Sequence, residues 1–242
     1  MSETWRVFVY ALATALATGV GALPFVLVRD LSDRVIAASN AIAAGLMLGA
    51  SLGLVAEGAR HGGWQTFLGV NVGIGFILLT QKLLGGHDPD VGAFRGAGAR
   101  RMLLMVVVMT VHSFAEGAAV GVSFGGGMAL ATAITVAIAV HNVPEGLAIS
   151  AVLRPQGVSV LGCVGWSVFS SLPQPLMAVP AFLFVERVAV ALPYGLGFAA
   201  GAMIFMVLVE LLPEAYEQER ARRVALLTGL TLAGMLLFQQ YV

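Results

Sequence analysis

Residues 112–117 read HSFAEG and residues 141–146 read HNVPEG, so the chain twice sets a histidine four residues ahead of a glutamate that glycine follows. Imidazole nitrogen with carboxylate oxygen is a donor set that suits zinc and neighbouring first-row divalent cations. Both motifs lie inside long apolar runs, where an unpaired ionised carboxylate costs several kcal/mol. No lysine or arginine stands in the middle of such a run to neutralise Glu116 or Glu145. A bound dication would do so. Residues four apart share one face of a helix, so each His/Glu pair aims two ligands the same way, with Ser113 and Asn142 beside them. Gly117 and Gly146 are expected to let the two motif-bearing helices close on each other.

The elements that hold these motifs must be membrane helices. The chain has 242 residues, of which 59% are hydrophobic and 11% charged, with a mean hydropathy of +0.92; soluble domains carry roughly a quarter charged residues. Eight apolar runs are long enough to cross a bilayer, which takes about 20 residues. They cover 5–28, 34–57, 63–84, 101–125, 127–152, 157–185, 189–213 and 223–241. The first continues to Arg29, too far for the apolar core of a signal peptide. Both motifs fall near mid-membrane, one in the fourth span and one in the fifth. Cys163 is alone, which excludes a disulfide framework or thiolate cluster within the chain. No basic patch points to nucleic acid, and no P-loop exists; Lys82 is the only lysine.

Charge sets the expected orientation. Of the 13 Lys and Arg residues, Arg6, Arg60 and Arg187 lie on the side of the termini, and the remaining ten lie at the opposite joints. The excess of positive charge marks the cytoplasmic side, so both termini are expected to be extracytoplasmic. The 85–100 segment, GGHDPDVGAFRGAGAR taken from its first glycine, is then a cytoplasmic linker between the third and fourth spans. Its His87, Asp88 and Asp90 are read as solvated, with transient metal holding as the alternative. HSFAEG and HNVPEG repeat at an offset of 29, and AAGLML (43–48) echoes AAGAMI (199–204) in the seventh span, each pair on helices that run in opposite directions. The fold expected is an all-α membrane protein, a single polytopic domain over 1–242. Its eight helices form a 3+2+3 inverted repeat, with a substrate site near the bilayer midplane.

Further positions could line that site. Met47 and Met203, in the two echoing strings, carry thioether sulfur, and Met47 is the one taken as a ligand. Pro144 frees the carbonyl of Val140 and is expected to kink the fifth span. SSLPQP (170–175) is expected to break the sixth span and to place Gln174 at a wall of the site. Glu57 and His61 at one membrane face, and Glu210 about a turn inside the other, could draw cations to the mouths of a pathway.

At these residues the chain resembles the ZIP (Zrt/Irt-like protein) family of divalent metal transporters, and the resemblance covers all eight spans. HNVPEG is the family's signature, and HSFAEG is the same signature with Ser113 and Ala115 where Asn and Pro are common. The run 198–215 and the string AAGLMLGAS resemble the family's seventh and second helices. The resemblance implies that His112, Glu116, His141 and Glu145 ligate the primary ion with Met47 near it, and that Ser113, Asn142 and the sixth-span position flank a second site. Many relatives have Glu in an SEP motif where this chain has Gln174 in LPQP, so one ion rather than two is expected.

The function read from this is transport of a divalent cation, zinc first, toward the cytoplasm by alternating access. It needs no cofactor; the ion is cargo. An intramembrane metal-dependent hydrolase on the same His/Glu site is the alternative, although no H-E-x-x-H helix is present. The expected partners are the divalent metal ion and the lipid bilayer, with no nucleic acid and with a homodimer as a candidate assembly. The expected location is the cell (inner) membrane of a bacterium.

Overall fold

Apolar sequence with small residues and few breakers folds into helix throughout. The computed structural model describes residues 2–28, 31–85 and 97–241, and among them there is no strand. The helices are α1 (Glu3–Val20), α2 (Asp33–Gly85), α3 (Ala97–Gly125), α4 (Met128–Leu153), α5 (Val160–Ser171), α6 (Pro173–Arg187), α7 (Leu192–Met206), α8 (Leu212–Gln218) and α9 (Ala221–Tyr241). Where caps are present they follow the rules: the hydroxyl of Ser2 accepts from the amide of Trp5 at the start of α1, and that of Ser159 from Gly162 at the start of α5.

Six helical stretches among the described residues are long and apolar enough to cross a membrane. One of them, Asp33–Thr80, runs for 48 residues, and α2 is broken within it at Gly62, whose backbone is extended at φ 169 and ψ 101. The break falls between the second and third expected spans. The 29-residue α3 carries the fourth expected span, and it starts at Ala97. Ala97 to Arg100, expected in a linker, are therefore its first turn; Ala and Arg are good helix formers, and the glycines that suggest a loop are concentrated before them. His87, Asp88 and Asp90 lie outside the described residues.

The two expected proline irregularities leave the backbone largely helical. The sixth span divides after Ser171, and α6 begins at Pro173, yet Leu172 between them keeps helical dihedrals of φ −57 and ψ −28. The prolines sit in the first turn of α6, where an absent N–H costs nothing. In the fifth span, α4 stays helical through Pro144 from Met128 to Leu153. The seventh span contains an irregularity the sequence did not suggest, a π-helical turn at Val207–Leu211 that carries Glu210. Single π turns recur at functional sites.

Packing divides the helices into two groups. α2 packs most extensively on α7 and then on α9, while α1, α3, α4, α5 and α6 pack mainly among themselves. The groups meet where α2 touches α4 and where α3 touches α7. Small residues make the closest contacts in the first group. A Cβ on Gly73 would stand 2.1 Å from the carbonyl oxygen of Phe198, and one on Gly201 would stand 2.2 Å from that of Val70. Large apolar side chains such as Trp64, Leu161, Leu176 and Leu230 point outward, as helices in lipid require.

Candidate metal centre

The polar residues of the second group gather inside it. His112, Ser113 and Glu116 on α3, His141, Asn142 and Glu145 on α4, and Gln174 on α6 are all buried. Thr14 on α1, which the motifs gave no reason to single out, is buried with them. A hydroxyl inside a helix usually bonds the carbonyl one turn back, so Thr14 reads as self-satisfied. The available signal was the recurrence of threonine at 14 and 18 on one face of an otherwise apolar span.

Glu116 is the centre of the arrangement. Its Oε1 lies 3.0 Å from His141 Nδ1 and 3.8 Å from His112 Nε2. Its Oε2 accepts a hydrogen bond of 2.7 Å from Gln174 Nε2. The two imidazole rings lie nearly parallel, 5.8 Å between centroids and 18° between planes. Neither ring nitrogen of His112, nor Nδ1 of His141, makes a well-aligned hydrogen bond. Three ligand atoms, one each from His112, Glu116 and His141, lie within 4.8 Å of one another. That disposition suits one small cation with N and O ligands.

Glu145 stands apart from this trio. It is buried and neither of its oxygens has a hydrogen-bond partner, so a carboxylate in the middle of the bundle is left with no direct compensation. Glu210, in the π turn, is within electrostatic reach of both Glu145 and His112. At the other end Glu57 contacts Arg60 at 3.2 Å and His61 at 3.1 Å, an exposed cluster beside the Gly62 break.

The remaining sequence candidates take defined places. Asn142 donates from Nδ2 to the Thr14 carbonyl at 2.7 Å and to Gln174 Oε1 at 3.2 Å. Its Oδ1 and the hydroxyl of Ser113 have no hydrogen-bond partner. Met47 and Met203 are both buried in the main apolar core with Ala115 and Ala119.

The glycines after the two glutamates do not bring α3 and α4 together, as their positions suggested. A Cβ on Gly117 would stand 2.5 Å from the Gln174 carbonyl oxygen, and one on Gly146 would stand 1.7 Å from the Thr18 carbonyl oxygen. Gly117 thus seats α6 on α3, and Gly146 seats α1 on α4. The reason is geometric: residues i and i+1 on a helix are about 100° apart, so a glycine following an inward glutamate faces a flanking helix.

Residues 89–238 match the model of the Zip family, described as ZIP zinc transporter. The chain belongs to the ZIP family. It is 44% identical to a putative zinc transporter of Arabidopsis thaliana over 95% of this chain, and spans 38% of that relative's length. It is 31% identical to zinc transporter GufA of Myxococcus xanthus over 94% of this chain and 96% of the relative. It is 34% identical to zinc transporter ZIPB of Bordetella bronchiseptica over 89% and 75% respectively. Apolar helices of this number, in a ZIP family chain, make it a multi-pass integral membrane protein. The matched region contains both HxxxEG motifs and Gln174, whereas Thr14 and Met47 precede it.

Proposed function

We propose that this chain carries a divalent cation, zinc above all, across the membrane toward the cytoplasm by alternating access. The observation that supports this best is the buried trio of His112, Glu116 and His141, with three ligand atoms within 4.8 Å. Glu145 is the fourth ligand in this reading. It has two unpartnered oxygens one turn from His141, and a modest rearrangement of α4 against α3 brings one of them to the ion. Met47 lies near the ion, while Ser113, Asn142 and Gln174 border it without adding charge. The carboxylates Glu116 and Glu145 balance one dication. A second ion would leave uncompensated charge where burial is costly, so the site holds one.

The transport frame is eight spans in a 3+2+3 inverted repeat with both termini extracytoplasmic. The equivalent seating of α6 by Gly117 and of α1 by Gly146 supports that symmetry, as does the break at Gly62 between the second and third spans. Relatives named as zinc transporters support zinc as cargo rather than cofactor. The hydrolase reading draws no support from either source. The deciding experiment is zinc uptake by proteoliposomes of purified protein. Saturable uptake that His141→Ala abolishes is expected; uptake of wild-type size in that variant would overturn the proposal.

A further inference from the structure

With Glu116 ionised, the hydrogen bonds around Gln174 fix its orientation. A carboxylate only accepts, so the end of Gln174 that meets Glu116 Oε2 at 2.7 Å is its NH2 group. The opposite end is then its carbonyl oxygen, which Asn142 Nδ2 meets at 3.2 Å and the Thr14 hydroxyl at 2.5 Å, the single hydroxyl proton being shared with the Ala11 carbonyl oxygen at 2.7 Å. Asn142 is fixed in turn, since its NH2 group also meets the Thr14 backbone carbonyl, an acceptor only, at 2.7 Å. All four side chains in this chain of bonds are buried.

The donors run from Asn142, and from the shared Thr14 proton, through Gln174 to Glu116. Gln174 therefore has no free oxygen to offer an ion, and one of Glu116's two oxygens is already spent. We propose that Gln174, locked by Thr14 and Asn142, is a positioning residue that turns Glu116 so that Oε1 alone faces the two imidazoles, and is not itself a ligand. This rests on the proposed role of Glu116 as an ion ligand. A helix outside the two motifs, α1, thus sets how the ion is held. Without the lock Glu116 can rotate and grip an ion with both oxygens, which changes the coordination and not only the affinity.

The test uses the full chain in detergent or nanodiscs with zinc as the probe. Thr14→Val removes the hydroxyl at nearly constant shape, and Thr14→Ser restores it. The lock requires zinc affinity to fall about fivefold in Thr14→Val and about tenfold in Gln174→Leu, the range of one or two hydrogen bonds, with Thr14→Ser within twofold of wild type. Thr14→Val should add less than twofold in the Gln174→Leu background, because the hydroxyl acts only through Gln174. X-ray absorption at the zinc edge should show an added oxygen neighbour in Thr14→Val and in Gln174→Leu. Wild-type affinity in Thr14→Val, a full independent loss in the double variant, or an unchanged oxygen shell would each overturn the inference. Absence of zinc binding in the wild-type protein would instead overturn the reading of the site itself.

Discussion

HSFAEG and HNVPEG are near copies in sequence and nearly opposite in circumstance. Glu116 is held by Gln174 and lies against both imidazoles, whereas Glu145, equally buried, has no hydrogen-bond partner for either oxygen. Spacing alone makes the two carboxylates equivalent, and the difference comes from what flanks each motif. α3 is backed by α6 with its amide at Gln174, and α4 is backed by α1, whose Thr14 is bonded to Asn142 and Gln174 and whose Thr18 hydroxyl is bonded to Ser171. On the proposed reading, one half of the site is preformed and the other is completed by the ion. A preformed ligand contributes to the empty protein's stability, while an unpaired one subtracts from it until a cation arrives.

The largest effect should erase the contrast. Glu116→Ala and Glu145→Ala should each weaken zinc binding by more than about a hundredfold, since each removes charge that compensates a buried dication. Isothermal titration would show this, and near-normal affinity in Glu145→Ala would mean that the site has one carboxylate only. Next come the glycines. Gly146→Ala should cost folding more than Gly117→Ala, because its Cβ would meet backbone oxygen at 1.7 Å against 2.5 Å. Overpacking of this kind costs about 1–3 kcal/mol or more, and thermal unfolding of the two variants in detergent should separate them in that order.

Smaller effects should sharpen it. In metal-free protein Glu145→Leu should raise the melting temperature by a few degrees, since a buried unpaired carboxylate gives way to an apolar side chain, while Glu116→Leu should lower it by stranding Gln174 and two histidines. Equal shifts in both would remove the distinction drawn between the motifs. Last, Gln174→Glu should leave the first ion bound and add a second of lower affinity, counted by elemental analysis after equilibrium dialysis. Two ions per chain in the unmutated protein would contradict the one-ion site.

The apolar runs, the paired motifs and the division of the sixth span near Pro173 were legible in the sequence, because helix period and hydrophobic length are local properties. Placing Glu116 between two imidazoles was half legible: the spacing gave His112, and the repeat gave His141. What the glycines touch was not legible, since it depends on how helices cross. Thr14 was hidden for the same reason, its partner Gln174 being 160 residues away. The π turn at Val207–Leu211 that carries Glu210 was not legible either, since nothing in the helical period of the seventh span marks it.

In the proposed carrier, the neutral side chain at 174 also bears on where a membrane voltage would act. With the proposed two carboxylates and one dication the loaded site would sum to zero, so a field would exert little force on it as it turns inward. The empty site keeps negative charge to the extent that its carboxylates stay ionised, and a potential of 100 mV acts on each such charge with at most about 2.3 kcal/mol. An interior-negative cell would push that empty site back outward. In a carrier built this way, voltage drives the reset rather than the delivery, and a carboxylate at 174 would shift the electrical load from one to the other.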